Sequence, residues 1–207
     1  MKRRDSLKIL GGAMMMSTGL TGIVRAQDTE IDTSVVAEMA MGDENAPVTL
    51  IEYASFTCPY CASFHVNQFK ELKADFIDTG KVRFIYRDVF FDKFGLWASM
   101  VARCGGPERF FGIVDMIYED QREWIGDGTD AGVADRLRKI GKVAGLTEEE
   151  LDACLTDREN AQALVAVYQE NSEADGISST PTLLINGTKY QNMAYPELKD
   201  VIEGKLN

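Results

Sequence analysis

Residues 48–61 read Val48-Thr49-Leu50-Ile51-Glu52-Tyr53-Ala54-Ser55-Phe56-Thr57-Cys58-Pro59-Tyr60-Cys61. The first seven are rich in β-branched and aromatic side chains and lie between Pro47 and a Ser-Phe-Thr segment, the pattern of a buried central strand. From Cys58 the apolar period becomes helical, with Cys61, Phe64, His65, Phe69, Leu72, Phe76 and Ile77 returning every three or four residues until Gly80 stops it. A strand therefore feeds straight into a helix, with Cys-x-x-Cys at the joint. The thiolate is the nucleophile of disulfide exchange, and a helix N-terminus favours it through unpaired N–H groups and a positive partial charge. Cys58 occupies that terminus, and Pro59 suits the first helical position, where an N–H would have no partner. Two intervening residues bring Cys61 back within bonding reach, so the pair can close and reopen. Half of a zinc site is the alternative. It would need two more ligands at short spacing, whereas Cys104 and Cys154 are isolated and His65 is the one histidine.

Outward from this joint, residues 27–34 form a polar linker and residues 35–41 a short possible strand. Val82–Val89 alternates as a third strand. Helical spacing follows over Leu96–Cys104, Glu108–Tyr118, Val133–Ala144, Thr147–Leu155 and Arg158–Ala174, with Gly176 as a stop. Thr147 and Glu150 have the spacing of a capping box, with Leu146 and Leu151 as a hydrophobic staple around it. Thr182–Ile185 and Lys189–Gln191, joined by Asn186-Gly187, read as a hairpin with a type I′ turn, and Pro196 opens a last helix. There are no internal repeats.

The chain has 207 residues, 45% hydrophobic and 27% charged, which is one ordinary globular domain with room for an insertion. Its core is large enough to hold without cysteine staples, so the four cysteines point to chemistry. With 22 basic and 33 acidic residues and a net charge of -11, it has no footprint for a nucleic-acid backbone or an anionic lipid surface. Residues 1–26 differ from the rest. Lys2, Arg3, Arg4 and Lys8 precede a mildly apolar stretch from Ile9 to Val24 that ends near Ala26, the pattern of a cleavable export signal. Arg3-Arg4-Asp5-Ser6-Leu7-Lys8 fits the twin-arginine route. A membrane anchor is the alternative, but Gly11, Gly12, Gly19 and Gly22 interrupt a stretch already shorter than the roughly 20 apolar residues a span needs. Removing residues 1–26 leaves 17 basic and 32 acidic side chains, a net -15.

The chain resembles the DsbA-type thiol:disulfide oxidoreductases. The likeness rests on Glu52 six residues before Cys58, on Cys58-Pro59-Tyr60-Cys61, on the many-helix segment after the third strand, and on Thr180-Pro181-Thr182 before the next one. The resemblance implies an α/β thioredoxin fold with a large all-helical insertion between the third strand and a cis-proline loop. In residue terms, 27–94 and 175–207 are the thioredoxin-like domain and 95–174 the insertion. It makes Pro181 the cis-proline and Thr180 its neighbour, offering backbone groups to an extended substrate; the residues alone show only a loop proline at the mouth of a strand.

On this reading Cys58, Cys61 and Glu52 are the catalytic residues, and Pro59, Tyr60, Thr180 and Pro181 bind substrate. A buried Glu52 is suited to relaying protons beneath Cys61, with a core acid paired to a Lys or Arg as the alternative. His65 follows Cys61 by four and has the spacing to share its helix face; a partly buried helix histidine is the ordinary reading, with a role in catalysis as the alternative. Cys104 and Cys154 fall on core-facing positions of two insertion helices. Export to an oxidising compartment favours a structural bridge between them over two inert thiols. The resemblance implies a periplasmic oxidase with no metal or cofactor, acting as a monomer on reduced exported proteins and reoxidised by a DsbB-like, quinone-linked membrane partner. The related alternatives are a reductase and an isomerase, although some 20 residues between Ala26 and the main strand leave no room for an N-terminal dimerisation domain. A chaperone-like binding module for unfolded chains is the alternative of a different class. Within the family Pro-His is common between the cysteines; Pro59-Tyr60 departs from it, and a phenol cannot supply the charge of an imidazolium, which points to a weaker oxidant.

Overall fold

A computed structural model describes residues 31–206; the expected export signal over residues 1–26 lies outside them. The central strand is β2 (Val48–Ala54), parallel to β3 (Val82–Asp88) on one side and antiparallel to β4 (Thr182–Ile185) on the other. β1 (Met39–Met41) adds outside β3, and β5 (Thr188–Gln191) outside β4, for the order β1-β3-β2-β4-β5. All four β4 residues are buried, as are Val48, Leu50, Glu52, Tyr53 and Ala54 of β2, because helices cover the sheet. β1 is shorter than the 35–41 run suggested. The Asp32 side chain accepts the Ser34 N–H and winds Thr33–Val35 into a 3-10 turn, a local hydrogen bond that competes with strand pairing.

The helix after Cys58 begins as α1 (Pro59–Phe64), passes through a π-helical turn at His65–Phe69, continues as α2 (Lys70–Leu72), and ends in a second π turn at Lys73–Ile77. Each π turn inserts a residue into the helical register. Between β3 and β4 lie α3 (Lys93–Cys104), α4 (Gly106–Glu119), α5 (Gln121–Ile125), α6 (Asp130–Val143), α7 (Glu148–Thr156) and α8 (Arg158–Ala174). The chain closes with α9 (Tyr195–Leu206). The short α5 has too few residues to show a period in the sequence. It is held by burial of Trp124, whose indole N–H donates to the Ile117 carbonyl at 2.8 Å. α7 starts with the reciprocal Thr147–Glu150 capping box, and Leu146 and Leu151 are buried beside it. Asn186 and Gly187 both have positive φ, 47° and 76°, as a type I′ turn requires.

One continuous apolar core joins sheet and insertion, with Phe56, Phe64, Phe69, Phe84, Tyr86, Phe110, Tyr118 and Trp124 buried in it. Two polar ties fasten the insertion to the strands. The Tyr53 hydroxyl, which accepts from Arg87 at 2.7 Å, reaches the Asn171 carbonyl of α8 at 3.2 Å, and Arg103 of α3 reaches Asp88 at 2.8 Å. Cys104 on α3 and Cys154 on α7 are joined by a disulfide across a sequence separation of 50. Closing a loop of that length is worth about 4 kcal/mol on the chain-entropy model. Replacing both cysteines by Ala should therefore lower the thermal unfolding midpoint by several degrees, while thiol titration of Cys58 and Cys61 stays as in the parent. An unchanged midpoint would show that the packed helices hold this junction without the bond.

Candidate active site

Cys58 is the N-cap of α1, with extended backbone (φ -81°, ψ 119°) and Pro59 following as the first helical residue. Its N–H donates to the Ser55 carbonyl at 3.0 Å, which turns the chain from β2 into the helix, and its carbonyl accepts the Ala62 N–H at 3.2 Å. A second constraint comes from the insertion. The Gln121 side-chain amide donates to the carbonyls of Phe56 at 2.8 Å and Cys58 at 2.9 Å, clamping the turn from the far side. Nothing in the sequence signalled this clamp, since Gln121 lies more than sixty residues from its partners in a helix too short to recognise.

The two sulfurs occupy different surroundings. The Cys58 thiol is pulled down from 9.0 to about 5, first by the hydrogen bond from Cys61, then, against the opposing effect of burial, by Thr180 and the N–H groups of Cys61 and Tyr60. The thiol form donates to the Thr180 carbonyl at 3.6 Å. The Thr180 hydroxyl, buried and otherwise without a partner among the described residues, is free to serve the thiolate instead. Cys61 is fully buried, and its thiol is pushed far up, chiefly by burial, then by donation to Cys58 and by the charge on Glu52. The single negative charge of the reduced pair therefore rests on Cys58. The Thr180–Pro181 bond is cis, and Pro181 is buried beside β4. Tyr60 is 68% exposed, and Phe91 and Val66 are also exposed apolar side chains.

Glu52 is fully buried on β2, and its partner is His65 rather than a Lys or Arg: Nε2 and Oε2 lie 2.8 Å apart. His65 is likewise buried, not partly exposed as a lone helix histidine usually is. The reason is a ring-shaped niche: the imidazole stacks on Tyr118 at 4.3 Å and lies 4.7 Å from Phe69. Tyr86 and Tyr118 share a buried hydrogen bond of 2.7 Å, and burial raises both hydroxyls well above 10, so they stay neutral phenols. Cys104 and Cys154 belong to the insertion, outside this group.

The thiolate absorbance of the reduced protein, followed against pH, should rise with a midpoint near 5 from Cys58 alone. Because the Cys61 S–H is the largest contributor, Cys61→Ala should raise that midpoint. A midpoint unmoved by the substitution would place the stabilisation entirely in the helix terminus.

The family model described as Thioredoxin matches residues 34–204. Disulfide bond formation protein D of Bacillus subtilis is 29% identical over 84% of this chain and 79% of its own length. A Rickettsia bellii protein provisionally named a protein-disulfide oxidoreductase is 31% identical over 80% of this chain, which spans only 63% of that relative. Among solved structures, alpha-DsbA1 of Wolbachia pipientis superposes with a TM-score of 0.74 at 27% identity, covering 81% of this chain and 89% of that one. Oxidised BdbD of Bacillus subtilis gives 0.71 at 25% identity, over 82% and 92%. With its five-stranded sheet, its helical insertion and Cys-x-x-Cys at the start of α1, the chain belongs to the thioredoxin family and to its DsbA-like branch.

Proposed function

We propose that this protein is a thiol:disulfide oxidoreductase that donates its Cys58–Cys61 disulfide to reduced protein thiols outside the cytoplasm. The observation that carries the reading is the unequal pair: Cys58 is held as a thiolate while Cys61 is held as a buried thiol. A client thiolate attacks Cys58; the Cys58–Cys61 bond breaks and its electron pair lands on Cys61, which takes up a proton. The client's second thiolate then attacks its own sulfur in the mixed disulfide, and Cys58 leaves as a thiolate. Leaving is easy because the departing anion is the one the site stabilises. The same stabilisation favours the dithiol form, which is what makes a donor of disulfides rather than an acceptor.

Glu52 is the proton partner of Cys61 in this scheme. Exposed Pro59 and Tyr60, with the Thr180–Pro181 edge, form the surface on which an extended client chain lies. Tyr60 adds no positive charge near Cys58, which makes the protein a milder oxidant than a histidine at this position would. The basic and apolar residues before Ala26 support export to the periplasm, with Arg3-Arg4 favouring the twin-arginine route. The two electrons collected from each client pass on to a membrane-bound, quinone-linked oxidant, and the protein works as a monomer.

A reduced, unfolded client such as scrambled-free ribonuclease, mixed with the oxidised protein, should regain its disulfides with one client bond formed per Cys58–Cys61 bond lost. Cys58→Ser should abolish the transfer. If the Cys58→Ser, Cys61→Ser protein still promotes recovery of the client as well as the parent does, the chain is a binding module for unfolded proteins and the redox reading is wrong.

A further inference from the structure

The Glu52–His65 pair has a feature that a simple buried salt bridge lacks. Each partner spends one of its two polar atoms on the other, Oε2 on Nε2 at 2.8 Å, and each keeps its second atom buried and unpartnered among the described residues: Oε1 of Glu52 and Nδ1 of His65. Side-chain exposure is 1% for His65 and 0% for Glu52, so bulk water does not serve these atoms. Orphaned buried polar atoms are costly, about 1–3 kcal/mol each, and structural pairs usually satisfy them. A pair that keeps both ends open is built to exchange something. The charge on Glu52 already acts on the Cys61 sulfur, so the carboxylate lies within electrostatic reach of the thiol that must gain and lose a proton. His65 also begins a π turn, an irregularity that recurs at functional sites.

We propose that His65 is the second member of the proton relay: the imidazole and Glu52 together store one proton, which moves to Cys61 when the Cys58–Cys61 bond opens. This rests on the thiol-exchange reading above and extends it to a positioning residue that acts through Glu52. The step balances. Before attack the pair is neutral, as carboxylate with imidazolium or acid with imidazole. The client thiolate bonds to Cys58, the Cys58–Cys61 bond breaks, and its electrons stay on Cys61. The stored proton crosses to that sulfur, leaving a carboxylate hydrogen-bonded to a neutral imidazole, a net charge of minus one. In the reverse direction Cys61 returns the proton as it attacks the mixed disulfide. A carboxylate alone would be left as an unpaired buried anion after each transfer; the Nε2–H donor removes that penalty.

The titratable groups facing the pair are few. Cys61 on α1 is the exchange partner. Tyr86 on β3 and Tyr118 on α4 stay protonated through burial and carry no charge in the working range. Asp115 on α4 is half-buried; its carboxyl is raised, chiefly by burial, with the His65 ring opposing the shift only in part. Leu183 of β4, opposite Glu52 in the sheet, is apolar. The Phe69 and Tyr118 rings fill the remaining space around the imidazole.

The test is reaction of the reduced protein with dithiobis-nitrobenzoate. Attack by Cys58 releases the first chromophore at a rate that depends on reagent concentration; attack by Cys61 on the mixed disulfide releases the second at a rate that does not. His65→Gln keeps an N–H donor for Glu52 Oε2 but cannot take the proton. It should leave the first phase as in the parent and slow the second by roughly a hundredfold, the low end of what positioned proton transfer supplies. It should also change the pH dependence of that second phase. A second phase matching the parent in rate and pH profile would make His65 a packing residue and overturn the relay, as would equal slowing of both phases. A parent protein lacking the first phase would refute the thiol-exchange reading itself, and the relay with it. A second measurement needs no variant, because the chain has one histidine. Nitrogen NMR of isotope-labelled histidine should show its ring in a different charge or tautomer in the disulfide and dithiol forms at neutral pH. The same ring state in both forms would equally overturn the proposal.

Discussion

The asymmetry of the redox pair depends most on the Cys61 thiol, which lowers the pKa of the Cys58 thiol by donating to its sulfur at the first turn of α1. That hydrogen bond is the largest influence holding Cys58 as an anion near neutral pH, and Cys61 can donate it only while burial keeps that thiol protonated. The helix terminus contributes the N–H groups of Tyr60 and Cys61, which are smaller influences. The asymmetry is therefore cooperative: a sulfur in a dry place supplies the donor, and a sulfur at a helix start receives it.

The rest of the fold is arranged around that bond. β2 delivers the chain to the helix start through the Ser55 turn, and the insertion reaches back through Gln121 to grip the same turn at two carbonyls. A helical segment between β3 and β4 thus helps hold Cys58 in place. β4 brings the Thr180–Pro181 edge against Cys58 from the other side. Beneath them, aromatic rings from α4 and the helix after Cys58 dry the space in which Glu52 and His65 meet. A buried polar pair of this kind seldom adds net stability, and this one leaves Oε1 of Glu52 and Nδ1 of His65 without partners among the described residues.

What was legible in the sequence was local. The strand-to-helix joint, the Thr147–Glu150 box and the Asn186-Gly187 turn are each decided by a few adjacent residues, and each is visible in the structure. What escaped depends on contacts between distant segments. Glu52 was expected to find a Lys or Arg if it was a core acid, but its partner, 13 residues away on the next element, is the chain's one histidine. Gln121 and the helix that carries it had no pattern to betray them. The late start of the first strand is the local exception: the Asp32 side chain captures the N–H of Ser34, two residues on. Propensity and periodicity describe a segment by itself, whereas these features were set by what the segment met.

The central claim is that thiolate stabilisation at Cys58 makes the dithiol the preferred form. It is tested most directly by the equilibrium of the Cys58/Cys61 pair with glutathione across the pH range. The account predicts a potential less negative than the roughly -270 mV of a reducing thioredoxin. It also predicts an equilibrium that moves further toward the dithiol as pH rises from about 5 toward the free-thiol pKa of about 8.5, because over that range two glutathione thiols give up two protons and the protein takes back only one, on Cys61. A potential at or below the thioredoxin value, or an equilibrium with glutathione that does not respond to pH over that range, would contradict it.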